Sequence, residues 1–469
     1  MRSYKLNILT TYSHDQGIDF HTVREALINQ NFPLIGIKIS FAEFFQGPIY
    51  LYILMPFFLV LDYQPIAGPI AAIFISTMSI LLLCYLLDQL SGIKAAIIGT
   101  TLFAVSPQFI KFGNTPLYQH FLVPFILILF YVLYKIVNFN HKQPKNYYLL
   151  IITSGIFTGI CMEIHLLAAT LMITSLIIVI LDKGGWFKKS LAYVIGVFTG
   201  ILPTVIFEFR HNFLNTRHLI SYLESASSYP LPLRDKILTT LTGAGNIFGG
   251  QHITIGTLIL LLISYSLFIK NRKQSKGELF IHNLTLIQLA ISLFIIIFIN
   301  NLGWWYLLPF WLAALIQLSS FFSKYFDKVI VKILLTTLIG INLTTSIIQI
   351  NQNHGYYMPE GWNMNKINKV AEIISNDTTG WKGNFNVLSL LGDDTRAYSI
   401  RYSVEKLGKI PGKVTDYNQN NSVYIVHFGK ATVIKPELWE LKEFSPYQLN
   451  QTWDLENNIY LSRLDKIIN

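Results

Sequence analysis

Along most of its first 350 residues the chain is a succession of apolar blocks, each roughly 17–23 residues long, the length a helix needs to cross a ~30 Å hydrocarbon core. The blocks lie near 66–87, 94–112, 118–137, 147–163, 165–182, 188–207, 254–270, 281–300, 303–322 and 328–349. They predict a polytopic α-helical membrane protein with about ten transmembrane helices. Composition agrees: 13% of residues are charged, against about 25% in a soluble domain.

The block 47–63, "GPIYLYILMPFFLVLDY", is shorter, holds Pro56 in its middle and carries Tyr50, Tyr52 and Tyr63. Such a segment is expected to lie in the membrane interface rather than cross it. Four loops are basic: 138–146, 182–190, 270–278 and 323–328. Two spanning blocks separate each neighbouring pair, so all four share one face, which the positive-inside rule assigns to the cytoplasm. The net charge of +10 therefore marks membrane orientation and not nucleic-acid binding. The opposite, external face receives the 111–117 loop, the long loop 208–253 and everything after Asn351. With 47–63 interfacial, the N-terminal stretch joins that face.

The expected organisation is an external loop with interfacial helices over 1–65, a transmembrane domain over 66–350 and a small external α/β domain over 351–469. For the last, the pattern predicts helices near 364–376 and 394–408 and strands near 385–391, 422–429 and 458–464. No cleavable signal peptide is visible. Cys84 and Cys161 lie inside apolar blocks and read as small buried hydrophobes.

Polar residues that carry chemistry collect at the external ends of the blocks. "YSHDQGIDFHTVREAL" (12–27) reads as a loop and a short helix with Asp15 and Asp19 near its start, where a helix dipole favours carboxylates. "FEFRHNFLNTRHL" (207–219) sets Arg210, His211 and Arg217 outside, against the positive-inside trend. The forked guanidinium suits phosphate there, and anchoring to anionic lipid is the plainer alternative. Glu163 and His165 in "MEIH" sit where ionisable side chains are costly and hint at a functional cavity; a tight turn is the plainer alternative. His120 in "YQH" belongs to the same face. "GDDT" (392–395) reads as a helix cap, and Arg396, Arg401 and Lys406 as a solvated helix face. Walker A, G-x-G-x-x-G, HExxH and CxxC patterns are all absent.

In their order, the acidic loop-helix, the "QGP" motif before an aromatic interfacial segment, the many helices and the external domain resemble the GT-C glycosyltransferases. More narrowly, they look like family 39, with the protein O-mannosyltransferases and the lipid A aminoarabinose transferases as relatives. Asp15-Gln16 stands where that group has its D-[EQ] pair, "REAL" (24–27) matches R-E-x-L, and Gln46 to Pro48 match [EHQ]-[KG]-P. "SPQFIKF" (106–112), "MEIH" and "FEFRHNFLNTR" are similar to segments of bacterial members, so the resemblance spans roughly 12–325.

The resemblance implies a transferase that takes a sugar from a polyprenyl-phosphate donor and passes it to a lipid, glycan or protein acceptor at the plasma (cytoplasmic) membrane. It implies Asp15 as the catalytic base and the Arg210 region, with His211 and Arg217, as the holder of the lipid phosphate. Gln16, Asp19, Arg24, Gln46, His120, Glu163 and His165 are the further residues expected to meet substrate. No cofactor is certain; a divalent metal stays open but unsupported, since Gln16 stands in place of the usual Glu. The family opens with a spanning helix before the acidic loop, whereas 14 residues precede Asp15, so the expectation is either a misplaced start or a chain that lacks that helix. Two other functions remain open. A lipid-linked glycan polymerase or ligase would be marked by a very large external loop. A lipid-linked sugar flippase or transporter would be marked by repeat symmetry and midplane charges.

Overall fold

The apolar blocks are helical in the computed structural model, which describes residues 1–38, 43–139, 144–165, 168–182, 184–225, 231–250, 252–269, 274–298, 303–381, 383–392, 394–429 and 437–467. Lys142, Lys270, Arg272, Lys273 and Asp393, from the predicted basic loops and the "GDDT" cap, lie outside the described residues.

Two short helices, α1 (Leu6–Leu9) and α2 (His14–Ile28), precede α3 (Ile49–Val60). The helical body follows as α4 (Ala67–Ser91), α5 (Ile93–Val105), α6 (Pro107–Phe112), α7 (Leu122–Val137), α8 (Pro144–Ile164), α9 (Ala169–Leu181), α10 (Trp186–Gly200), α11 (Leu202–Arg210), α12 (Leu214–Ser225), α13 (Leu233–Phe248), α14 (Ile253–Phe268), α15 (Lys276–Phe298), α16 (Leu308–Lys324) and α17 (Val329–Ile350). Among the described residues, six helices are long and apolar enough to cross a membrane, or eight if each of two bent pairs counts as one span.

Fewer unbroken spans form than the blocks suggested. Block 94–112 breaks at Ser106, whose extended backbone precedes Pro107, because a residue before proline is pushed out of the helical region. It leaves α5 with 13 residues, about 20 Å of helix. α9 also has 13 residues. Block 188–207 is bent by 74° between α10 and α11. α3, with 12 residues and Pro56 inside it, measures about 18 Å, too short to cross.

α8 and α10 approach unusually closely because Gly155 and Gly159 face Gly196 and Gly200. A Cβ on Gly159 would stand 2.5 Å from the Val197 carbonyl oxygen and 2.8 Å from the Gly200 Cα. Small residues spaced by four let helix backbones meet in this way. α16 is buried along almost its whole length, against α5, α14 and α15, and its buried Gln317 and Ser319 bond to Ser266 and to the Leu315 carbonyl.

The C-terminal region holds α18 (Met364–Asp377), β1 (Phe385–Ser389), α19 (Tyr398–Lys406), β2 (Ser422–Phe428), α20 (Trp439–Phe444), β3 (Tyr447–Asp454) and β4 (Ile459–Lys466). The sheet runs β1-β2-β4-β3, parallel between β1 and β2 and antiparallel elsewhere. Alternation along β2 sends Val423 and Ile425 toward Leu441 and Phe444 of α20, while Tyr424 and Val426 join the main core with α18 and α19.

The expected cationic helix face at 394–408 does not form. The helix begins at Tyr398, and Arg401 is buried. Its guanidinium donates to the carbonyls of Arg396, Gly412 and Val387, to Asn386 Oδ1 and to the Tyr417 hydroxyl. Lys406 pairs with Asp62 at 2.7 Å. The amphipathic count missed Arg401 because its guanidinium meets five acceptors on neighbouring strands and loops, which local periodicity does not report.

Candidate active site

α2 starts where Ser13 and Gln16 form an S-x-x-Q cap. Gln16 Oε1 accepts from the Ser13 amide at 3.0 Å and the Ser13 hydroxyl at 2.9 Å, and Gln16 Nε2 donates to the Pro116 carbonyl at 3.4 Å. Such a cap satisfies amides that the first helical turn leaves free. Gln16 is thus committed to the backbone. Asp15, beside it in the first turn, is exposed and opens into a cavity of about 770 Å³.

This cavity has two walls. One is the N-terminal end of α2 with Ile37 and Lys38; the other comes from 357–362 and from 389–399 of the C-terminal region. Among its lining residues the cations are Lys38 and Arg396. Lys38 Nζ lies 2.6 Å from Glu43, and Arg396 pairs with Asp394. His14 Nε2 stands 3.1 Å from Asp394 and 3.0 Å from Arg396 Nη2, joining the two walls. Burial lowers the His14 pKa despite Asp394, so the imidazole is neutral at pH 7.

The second wall is held directly against α2. Gly17 lies so close to α19 that a Cβ there would be 2.4 Å from both Ser399 N and Tyr398 C. The Tyr12 hydroxyl donates to the Ser399 carbonyl at 2.9 Å. Phe20 meets Phe58 at 4.9 Å and Tyr402 at 5.8 Å between ring centroids. Arg24, expected to meet substrate, faces Glu405 at 3.6 Å, as does His21 at 3.3 Å. Burial, with Arg24 and Arg401 nearby, takes the His21 pKa down to about 4, so that contact joins a neutral imidazole to a carboxyl.

Asp19, one turn after Asp15, points inward. Both carboxyl oxygens are buried without a hydrogen-bond partner among the described residues. Tyr50 stands beside it, but its hydroxyl donates to the Pro116 carbonyl at 2.8 Å. Burial first, then the charge of Asp15, pushes the Asp19 pKa well above the carboxylate range. Asp19 is therefore a carboxyl behind the cavity whose charged form its surroundings disfavour.

A second cavity, of about 140 Å³, collects Gln46, Glu163 and Glu208. Gly47 makes it possible: a Cβ there would stand 1.8 Å from Glu163 Oε2. His120 enters neither cavity; its Nδ1 lies 2.8 Å from the Thr115 carbonyl and its ring stacks on Phe112 at 3.9 Å. His165 also lines neither, and sits against Tyr118 and Tyr306. Arg210, His211 and Arg217 are exposed at the turn between α11 and α12 and line neither cavity. His211 is stacked on Phe207 at 4.1 Å. The cluster expected to meet Asp15 thus lies elsewhere. Lys38, His14, Asp394 and Arg396 were missed, since nothing local links residue 15 to residue 396.

Residues 46–207 match the family model described as dolichyl-phosphate-mannose-protein mannosyltransferase. No curated protein matches the chain by sequence. Among solved structures, ArnT from Cupriavidus metallidurans bound to undecaprenyl phosphate aligns with a TM-score of 0.60 at 11% identity, over 99% of this chain and 95% of that one. The apo form of the same protein gives 0.62 at 10%, over 98% and 94%. The Archaeoglobus fulgidus oligosaccharyltransferase in its apo form gives 0.51 at 11%, over 89% and 66%.

Residues 46–207 are thus similar to the protein-mannosyltransferase family, and the chain as a whole shares the fold of ArnT.

Proposed function

We propose that the chain moves a sugar from a polyprenyl-phosphate donor to an acceptor hydroxyl, with Asp15 as general base. The observation that carries this is Asp15 at the start of α2, exposed to the larger cavity with Lys38 and Arg396 among its lining residues. The ArnT structure with undecaprenyl phosphate supports a lipid phosphate as the donor's leaving group. The acceptor oxygen attacks the anomeric carbon, the bond from that carbon to the phosphate oxygen breaks, and the electron pair leaves with the lipid phosphate. The acceptor proton passes to the Asp15 carboxylate. Negative charge growing on the phosphate is offset by Lys38 and Arg396, in the role first expected of the Arg210 cluster.

The four basic loops support an orientation with the cavity and the C-terminal sheet outside and the loops in the cytoplasm. The direct test is transfer from a panel of polyprenyl-phosphate sugars in detergent by wild type and Asp15→Asn. A positioned base typically supplies about 10²–10⁴ in rate, and a loss of that order is expected. Unchanged turnover refutes the assignment. A cysteine at position 15 is expected to react with an impermeant thiol reagent added outside; labelling from the cytoplasmic side alone refutes the orientation.

A further inference from the structure

From the end of α19 the chain reads "KLGKIPGK" (406–413), with three lysines and no acidic residue. Leu407 is exposed, and Ile410 is 82% exposed. The loop that presents them is held at both ends. Gly408 closes α19 at a φ of 81°, and its amide donates to the Glu405 carbonyl at 3.0 Å. The Gly412 amide donates to the Phe385 carbonyl at 2.8 Å, while the Gly412 carbonyl accepts from the buried Arg401. Ile410 is therefore set outward by a fixed turn and is not a frayed end.

This loop is tied to the part of the molecule that meets lipid. Lys406 Nζ lies 2.7 Å from Asp62, and the Tyr402 hydroxyl donates to the Tyr63 carbonyl at 2.7 Å. Asp62 and Tyr63 lie between α3, which is too short to cross a membrane, and α4, which is long enough. The chain neighbours of the Lys406–Asp62 pair are apolar and exposed on both sides: Leu407 on one, Leu59 and Val60 on the other. Phe57 of α3 packs at 5.6 Å, between ring centroids, on Phe74 of α4, which is itself exposed on the span.

An exposed apolar patch on a fixed loop marks a contact surface. The patch at 407–410 continues the apolar outer surface of α3 and α4, so the lipid that covers those helices is at hand to cover it. Its charge also suits lipid. Lys413 is exposed, and Lys409, whose Nζ donates to the Thr378 carbonyl at 3.3 Å, has further N–H groups to give. Aliphatic side chains that enter the boundary between head groups and acyl chains, with lysines kept at the phosphates, make an interfacial anchor. We propose that the 407–413 loop is such an anchor: Leu407 and Ile410 enter the bilayer surface beside α3, and Lys409 and Lys413 meet anionic phospholipid head groups. The contact ties α19, whose Ser399 lines the larger cavity, to the plane of the membrane.

The test uses the full-length chain with Cys84→Ser and Cys161→Ser, in nanodiscs that hold one chain each, and reads no sugar transfer. A polarity-sensitive fluorophore is attached through Ile410→Cys or, for comparison, through Leu449→Cys on β3, at the opposite edge of the sheet from β1. In discs of phosphatidylcholine and phosphatidylglycerol the probe at 410 is expected to emit further to the blue than the probe at 449. It should also lose quenching by aqueous iodide and be quenched by lipid bearing a nitroxide high on its acyl chain. Leaving out phosphatidylglycerol, or combining Lys409→Glu with Lys413→Glu in a chain that melts as its parent does, should shift the 410 emission back toward that of water. Iodide quenching at 410 equal to that at 449 overturns the anchor. So does a shielded 410 probe that the nitroxide lipid does not reach, or shielding that arises only in discs holding two chains, which would assign the surface to a second copy. Lipid quenching indifferent to phosphatidylglycerol and to both glutamates refutes the part given to the lysines.

Discussion

Gly17→Ala tests how far the larger cavity depends on α19 resting against α2. The added Cβ would lie 2.4 Å from Ser399 N and from Tyr398 C. These are backbone atoms, so no side chain can swing aside. Restoring a normal contact of about 3.5 Å requires the two helices to part by roughly 1 Å. Overpacking of this kind costs about 1–3 kcal/mol. The same separation stretches the Tyr12 to Ser399 hydrogen bond of 2.9 Å and moves His14 relative to Asp394 and Arg396. A shift of about 1 Å between reacting and positioning groups lowers turnover by up to ~10²-fold. Thermal unfolding in detergent and steady-state transfer, measured on the same preparation, should both fall. Wild-type values for both refute the close docking. A lowered melting temperature with wild-type turnover refutes the narrower point, that the C-terminal wall shapes the reaction.

Three further outcomes follow from buried groups. Asp19 has a folded pKa raised by burial over an unfolded value of about 3.9; its contribution is fully present below pH 4 and is lost as pH rises through the folded value. Asp19→Asn should therefore match wild type in melting temperature near pH 4 and exceed it increasingly as pH rises above that; a difference independent of pH would contradict a buried carboxyl whose charge is disfavoured. Arg401→Lys keeps the charge but has three donors for five acceptors, so unfolding should become easier by about 2–4 kcal/mol, and unchanged stability would show that the network is dispensable. Gly159→Leu should prevent α8 and α10 from meeting and lower the yield of folded protein in membranes, whereas wild-type expression and melting would count against that contact.

The helical body was legible because its signal is local and repeated. Each block had to satisfy its own backbone in a medium without water, and only helices do so within one segment. β1, β2 and β4 were found from their apolar runs, whereas β3 was missed because "YQLNQTWD" is an exposed edge strand with no apolar run to betray it. The interruption at Ser106–Pro107 lay in plain view but was outweighed by the length of the block.

Asp15 was reached through a resemblance, and the residues around it were not reached at all. His14 and Arg396 stand 382 positions apart, and no periodicity connects them. What the sequence by itself determined is the helical membrane body, the separate sheet-forming region and the acidic start of α2, since hydropathy, turn chemistry and caps act over one or two turns of chain. Only the tertiary structure decided that α19 closes the cavity over Asp15, that the Arg210 turn stays outside it, and that Glu163, Glu208 and Gln46 converge. Those outcomes depend on how closely backbones approach, at Gly17 and Gly47 above all, where the absent Cβ lets a distant segment fill the space.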